Sequence, residues 1–280
     1  MCGEDETAAE MLLGVAQDWL SARGMRAMRG PWSFASQEWG LEIEGGDQPP
    51  VILAPHNPPY YADVFESFGL KKAIDLIGYL ADMSDGYRMP ERYLTLTEKI
   101  RGRYGVTVRS VDMGRIEQEV MTIVELSNRS IAENWGYYPV TDDEARAMAR
   151  DLRQIVNPEA LLIAEDRNGD PIGFGLSLPD VNILLKDLNG HLLPFGWLKL
   201  LLGMKHIRQY RMWALGVVPE YHGKAIDTLL YKATHDALKG IQVRMEINYV
   251  LENNHPMNNA LMKLGVEPIR RYRVYEKDIP

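Results

Sequence analysis

The sequence predicts an α/β protein built on a mixed α+β sheet, and three stretches predict it. The first is Leu215 to Asp227, an apolar strand, a short basic turn with Gly223, and the start of a helix. Ile226, Leu229, Leu230, Ala233 and Ala237 fall on one face at helical spacing, and Lys239-Gly240 supplies a basic last turn and a stop. The second is a hairpin: Leu161–Ala164 and Ile172–Leu176 flank Asp166-Arg167-Asn168-Gly169-Asp170. The third is a repeated order of helix, strand, helix, strand. Phe68-Gly69-Leu70 with Tyr79 ten residues beyond the glycine matches Leu264-Gly265-Val266 with Tyr275 at the same offset. Upstream, a helix closing at Gly24 mirrors the one closing at Gly240.

In order, a helix is expected over 10–22, with Met11, Leu12, Val15, Ala16, Trp19 and Leu20 as its core-facing side. Gly30-Pro31 breaks the next stretch, and Leu41 and Ile43 alternate with Glu42 and Glu44 as in a half-buried strand. Val51–Leu53 reads as a short strand, Tyr60–Phe68 as a helix stopped by Gly69, and Ile74–Leu80 as strand. Residues 83–103 are polar and proline-interrupted, with one helix over 91–101, and read as a connection. A strand at Val106–Arg109 precedes helices over 114–133 and 142–155. The second of these opens on Thr141 with Glu144 three residues later, a capping box. After the hairpin come a short helix at 181–188, an apolar run, and the strand ending at Val218. A strand over 242–249, a helix over 257–264 and a last strand over 269–276 follow helix 226–239.

Composition narrows the function classes. At 280 residues the chain suffices for one large or two ordinary domains, and 46% apolar with 25% charged residues is globular usage. A formal net charge of -8 argues against non-specific nucleic-acid binding. The single cysteine, Cys2, excludes an intrachain disulfide, and the acidic start (Glu4, Asp5, Glu6) lacks the basic region of a signal peptide, so the cytoplasm is expected. The apolar run Leu192–Ile207 is too interrupted to span a bilayer. Phe195, Trp197 and Leu198 beside Lys199 and Lys205 suit an interfacial role, but a buried or pocket-lining helix is the expectation here. His191, His206, His222, His235 and His255 show no paired metal-ligand spacing, and His56 stands alone. Dinucleotide, nucleophile-elbow and Walker motifs are lacking.

Val218-Pro219-Glu220-Tyr221-x-Gly223-Lys224-x-Ile226, followed by an amphipathic helix, resembles the acyl-CoA signature of the GCN5-related N-acetyltransferases (GNATs). In that family the turn reads Gln/Arg-x-x-Gly-x-Gly/Ala and its amides hold the CoA pyrophosphate, as a helix N-terminus suits. Aligned with it, His222, Ala225 and Asp227 take the three marked positions. Ala225 is then expected at negative φ, and Asp227 brings a negative charge toward a diphosphate. The resemblance implies acetyl-CoA as co-substrate, bound by Leu215, Gly216, Val217, Val218, His222, Gly223, Lys224, Ala225 and Ile226, with amide help from Asn253 and Asn258. Glu246, on the strand after the CoA helix, is the candidate base, a surface or salt-bridged glutamate being the alternative. The family's acid, a tyrosine on the last helix, is matched by Leu261, and neither Tyr221 nor Tyr249 stands in its place. Asn134, Trp135 and Tyr137 lie where this fold grips its acceptor, and Asp180 and Asn182 follow the hairpin toward the same cleft. Helix termination, helix capping and turn formation explain those residues and Asn253 as readily.

On that resemblance, 104–280 is a complete GNAT module and 1–82 only the C-terminal half of one, joined by 83–103. Nothing before Met11 supplies the missing strands, so either the start lies downstream of the natural one or this is a shortened relative. The exposed sheet edge of a half module is expected to be covered by the second module or by a partner chain, a homodimer included. Segments such as Gly30–Phe34, His56–Tyr61 and Leu193–Leu200 resemble those of a bacterial tandem-GNAT group. The function implied is acyl-CoA-dependent transfer, of acetyl, to a small amine, amino acid or peptide. A non-catalytic GNAT-fold binding protein is the rival, and an aminoacyl transferase of tandem architecture the third reading.

Overall fold

The computed structural model describes residues 6–32, 38–153 and 155–279, so Cys2, Ser33 and Phe34 lie outside the described residues. In chain order the elements are α1 (Glu6–Ser21), β1 (Ala27–Gly30), β2 (Leu41–Glu44), α2 (Tyr60–Ser67), β3 (Lys71–Asp82), α3 (Glu91–Tyr104), β4 (Thr107–Ser110), α4 (Ile116–Ser130) and α5 (Asp142–Leu152). Then come β5 (Leu161–Glu165), β6 (Pro171–Pro179), α6 (Asn182–Leu185), α7 (Gly196–Gly203), β7 (Gln209–Val217), α8 (Ile226–Leu238), β8 (Arg244–Leu251), α9 (His255–Leu264) and β9 (Glu267–Asp278).

These elements gather into two compact units. The first comprises Met1–Gly78, Tyr249–Asn258 and Pro268–Pro280, and the second Tyr79–Asn248 and Asn259–Glu267. Beside the linear division at 82 and 104, both units are discontinuous. The last strand clusters with the N-terminal segment, and α3 belongs to the second unit.

In the first unit the sheet order is β1–β9–β3, with β2 also on β9. β1 and β2 run antiparallel to β9, Ala27 opposite Asp278 and Leu41 opposite Arg273. Ala9, Leu13, Leu41, Val64, Phe65, Leu70 and Tyr275 form its core, the last two rings of Phe65 and Tyr275 lying 5.5 Å apart. Three expectations fail here. On α1 it is Ala9 and Leu13 that are buried, while Met11, Leu12, Val15 and Trp19 face solvent; periodicity marks an apolar stripe without saying that anything covers it. Val51–Leu53 forms a turn, with Leu53 at φ 58° and Val51 and Ile52 buried. Glu42 is buried instead of facing out, because Arg270 meets it there.

The repeat is visible as structure. Gly69 (φ 87°) closes α2 and Gly265 (φ 79°) closes α9, and each launches a strand of 12 residues. Left-handed φ at a helix end is the conformation glycine adopts without a Cβ clash.

In the second unit the order is β8–β7–β6–β5–β4, antiparallel throughout except for the parallel pair β7–β8. The expected hairpin is β5–β6, with Asp166 Oδ1 accepting from the amides of Asn168 (2.8 Å) and Asp170 (3.1 Å). The capping box of α5 is formed: Thr141 N donates to Glu144 Oε2 at 2.9 Å and Glu144 N to Thr141 Oγ1 at 3.4 Å. Opposite faces of the sheet carry α8 and α4. A Cβ on Gly175 would lie 3.9 Å from Leu230 of α8, and one on Gly216 would lie 2.2 Å from Ser130 Oγ of α4. Of the expectation of a buried or pocket-lining helix within Leu192–Ile207, the buried alternative fails, since α7 has no buried residue. Among the described residues, no helix is long and apolar enough to cross a membrane.

Candidate functional site

β7 runs into the signature turn of the second unit. Val218 N donates to Ile172 O at 2.9 Å, and after a 3-10 turn over Pro219–Tyr221 the chain opens α8. Two residues there are left-handed: Gly223 at φ 74° and Ala225, the residue preceding α8, at φ 57°. The expectation of negative φ at Ala225 is therefore wrong. The pattern x-x-Gly-x-Gly/Ala falls instead on Gly223 and Ala225, with Glu220 in the Gln/Arg place and Asp227 already inside the helix. Ala is tolerated at such a φ because its Cβ is the smallest, at a cost of about 1–2 kcal/mol. Left-handed residues beside a helix N-terminus turn successive N–H groups to one side, the geometry of an anion cradle. Around it, Lys224 Nζ sits 4.1 Å from the Tyr221 ring centroid, Tyr221 OH donates to Asp166 Oδ2 at 3.2 Å, and His222 Nε2 donates to Val217 O at 2.7 Å. Burial pushes the Asp227 carboxyl above its ordinary pKa.

Upstream of the turn, β7 parts from β8. The parallel ladder runs from Gln209 opposite Arg244 to Met212 opposite Ile247, while β7 stays paired with β6 as far as Val217. At the parting point β6 and β7 fall out of step. Ser177 faces Met212 and Leu176 faces Ala214, so Trp213 is the extra residue of a bulge. From there on Trp213, Ala214, Leu215 and Val217 are half-buried. Beside the bulge lies a buried polar group. Arg211 and Glu246 are opposite one another on the two strands, Asn248 follows on the same face, and all three are at most 1% exposed. Asn248 Nδ2 donates to Glu246 Oε1 at 2.9 Å, and Arg211 Nη2 to Asn248 O at 3.5 Å. Ser177, also fully buried, has no hydrogen-bond partner for its hydroxyl; a group so placed is costly unless a ligand or function uses it.

No protein-family model matches the chain. It is 36% identical to protein YghO of Escherichia coli K12 over 284 residues, spanning 99% of this chain and 72% of that protein. It is equally 36% identical to the bacterial ceramide synthase of Caulobacter vibrioides over 287 residues, 99% of this chain and 73% of that one. A GCN5-related N-acetyltransferase from Sphaerobacter thermophilus superposes with a TM-score of 0.58 at 14% identity, over 99% of this chain and 69% of that one. A tandem GNAT protein from the clavulanic acid biosynthesis pathway gives 0.50 at 13% identity, over 96% and 69%. The chain belongs to one family with YghO and the Caulobacter enzyme, and its fold is that of the GCN5-related N-acetyltransferases.

The sequence-derived residues are distributed as follows. Leu215, Gly216, Val217, Val218, His222, Gly223, Lys224, Ala225 and Ile226 lie together along the end of β7, the turn and the start of α8. Within that set Gly216 is explained by packing, since a side chain there would strike Ser130 and Phe174, and Val218 and Ile226 are core residues. Glu246 is no surface glutamate. Asn134 is exposed and Trp135 half-buried in the α4–α5 loop, where Tyr137 OH donates to Asn128 Oδ1 and clasps the loop. Asp180 is buried, and its Oδ1 accepts from Asn182 N at 3.1 Å where α6 begins. Asn253 and Asn258 belong to the first unit. There Asn258 Nδ2 donates to Leu251 O at 2.9 Å and Asn254 O at 3.0 Å, an arrangement that ties its own loop. Leu261 is fully buried.

Sequence reasoning missed Arg211, Asn248, Ser177 and the bulge at Trp213; alternation along two apolar strands carries no sign of where a ladder slips. It also missed a buried ion pair in the first unit, Glu42 with Arg270. There Arg270 also donates to Gly45 O (3.0 Å) and Pro49 O (2.7 Å), and His56, which seemed solitary, bonds Glu42 Oε2 through Nδ1 at 3.0 Å. Among the described residues no cluster of three or more His, Cys, Asp or Glu is arranged for a metal ion.

Proposed function

We propose that the protein is an acyl-CoA-dependent N-acyltransferase. The observation that carries this is the parting of β7 from β8 at bulged Trp213, just ahead of a left-handed turn that opens α8. The residues fit the group: Gly223, Lys224, Ala225 and the first turn of α8 suit a diphosphate, and half-buried Leu215 and Val217 suit the arm behind it. Bound acyl-CoA supplies an acyl group activated as a thioester. Glu246, steadied by Asn248, takes the proton of the attacking amine, directly or through water; the amide C–N bond forms as the thioester C–S bond breaks, and CoA leaves as a thiolate that takes a proton from solvent. Holding amine and acyl carbon in line is the larger part of the barrier reduction, about 7–11 kcal/mol in favourable cases.

The Caulobacter relative is a ceramide synthase by name, which supports a lipid amine as acceptor and a fatty acyl donor in place of the acetyl group and small acceptor expected from the sequence. Free-thiol release from palmitoyl-CoA and from acetyl-CoA, each with a long-chain amino alcohol or an amino acid, tests this. Turnover is expected with palmitoyl-CoA and the amino alcohol. No thiol release with any pair, despite CoA binding, would favour the non-catalytic reading, for which buried Leu261 in the family's tyrosine place is the specific support.

A further inference from the structure

The connection from β6 to β7 is unlike the rest of the second unit. Leu193, Phe195, Trp197, Leu201 and Leu202 are each half exposed or more, and α7 buries nothing. Trp197 Nε1 donates to Pro194 O at 2.9 Å, so the indole is held in place while half its surface faces outward. The charges around this patch run against those of the chain. Residues 182–208 carry Lys186, Lys199, Lys205 and Arg208 against the single Asp187, in a protein of formal net charge -8. Lys199 pairs with Asp187 at 3.2 Å, and Lys205 and Arg208 are exposed.

We propose that α7 and the Leu192–Phe195 segment before it form a membrane-surface anchor that seats in an anionic bilayer interface. An apolar helix of eight residues cannot cross a bilayer, and one rimmed by cations with aromatic residues at its start lies in the headgroup plane. Charge decides between a bilayer and a second copy of the chain. A two-fold interface would press two basic rims together, whereas anionic headgroups complement them. α1 provides the internal contrast: Met11, Leu12, Val15 and Trp19 are also exposed, but Glu6–Ser21 contains no lysine or arginine. The anchor lies at the N-terminal end of β7, and the left-handed turn follows its C-terminal end, about 30 Å away along nine residues of strand.

Co-sedimentation of the full chain with phosphatidylcholine vesicles, with and without phosphatidylglycerol, tests the anchor and needs no turnover. Binding is expected to be strongest with phosphatidylglycerol and to weaken with salt. Leu201→Glu with Leu202→Glu should lower the partition about tenfold or more, with an unchanged thermal melt because both positions are exposed. Lys199→Gln or Lys205→Gln should each lower anionic-vesicle binding about fivefold, and Val15→Glu on α1 should leave it unchanged. Absence of wild-type binding to anionic vesicles overturns the proposal. So does wild-type binding by the Leu201/Leu202 variant, or a dimer in light scattering that this variant dissociates while neither form binds vesicles.

Discussion

Two buried glutamate–arginine sets can be compared, one in each unit. Glu42 and Arg270 are knotted: the guanidinium reaches the carboxylate and the carbonyls of the 45–49 loop, and Glu42 is bonded in addition by His56 and, through its backbone, by Asn57. Glu246 and Arg211 stand opposite one another where a parallel ladder ends and a bulge begins. The residue types and the burial are the same in both. Position differs: the first set closes a loop, the second sits where the β7–β8 ladder ends. Buried charge alone is thus weak evidence of catalysis, and its place in the sheet carries the inference.

The comparison can be broken by substitution. Glu42→Ala should cost about 3–5 kcal/mol in urea unfolding, because it strands the buried Arg270. If the variant were as stable as wild type, the staple reading of the first set would fail. Glu246→Gln should keep the fold and the CoA affinity while lowering kcat about 10²–10⁴-fold, the range for a lost acid–base group. Equal losses of stability in both variants would erase the distinction between the sets.

A smaller effect is expected at Asp227. Its carboxyl pKa is raised by burial, so the charged form costs stability once the pH exceeds the ordinary Asp value of 3.8, and the cost grows until the pH passes the folded-state pKa. Asp227→Asn should therefore raise Tm at pH 7, with the gain shrinking as pH falls through the ordinary Asp range. A gain that is the same at all pH values would assign the effect to packing.

What the sequence reveals follows the reach of each rule. The hairpin at Asn168-Gly169, the cap at Thr141, and the helix after Gly223 are local, and each stands within a residue or two of its expected place. The repeat is legible because Gly69 and Gly265 mark identical helix-to-strand junctions. Long-range facts are not legible. Glu42 looks outward-facing until Arg270, 228 residues on, is brought to it. The stripes of α1 and the Leu192–Ile207 run look like core faces because apolar pattern is the same whether or not a partner covers it. The turn is legible in the letters Gly223-x-Ala225, and an alignment set two residues later, on Ala225 and Asp227, puts its left-handed residues in the wrong place.

The central claim is that the turn at Gly223–Ala225 holds a diphosphate. Its most direct test is calorimetric titration of CoA, dephospho-CoA and pantetheine into the wild type and Gly223→Val. A Cβ at Gly223 meets nothing within 4 Å, so the variant acts chiefly through its left-handed backbone, where strain of about 1–2 kcal/mol corresponds to roughly tenfold. Micromolar binding of CoA and dephospho-CoA, about -8 kcal/mol, none of pantetheine, and about tenfold weaker binding by the variant are the expected results. No CoA binding at millimolar concentration, or equal binding of pantetheine and an indifferent Gly223→Val, would contradict the account.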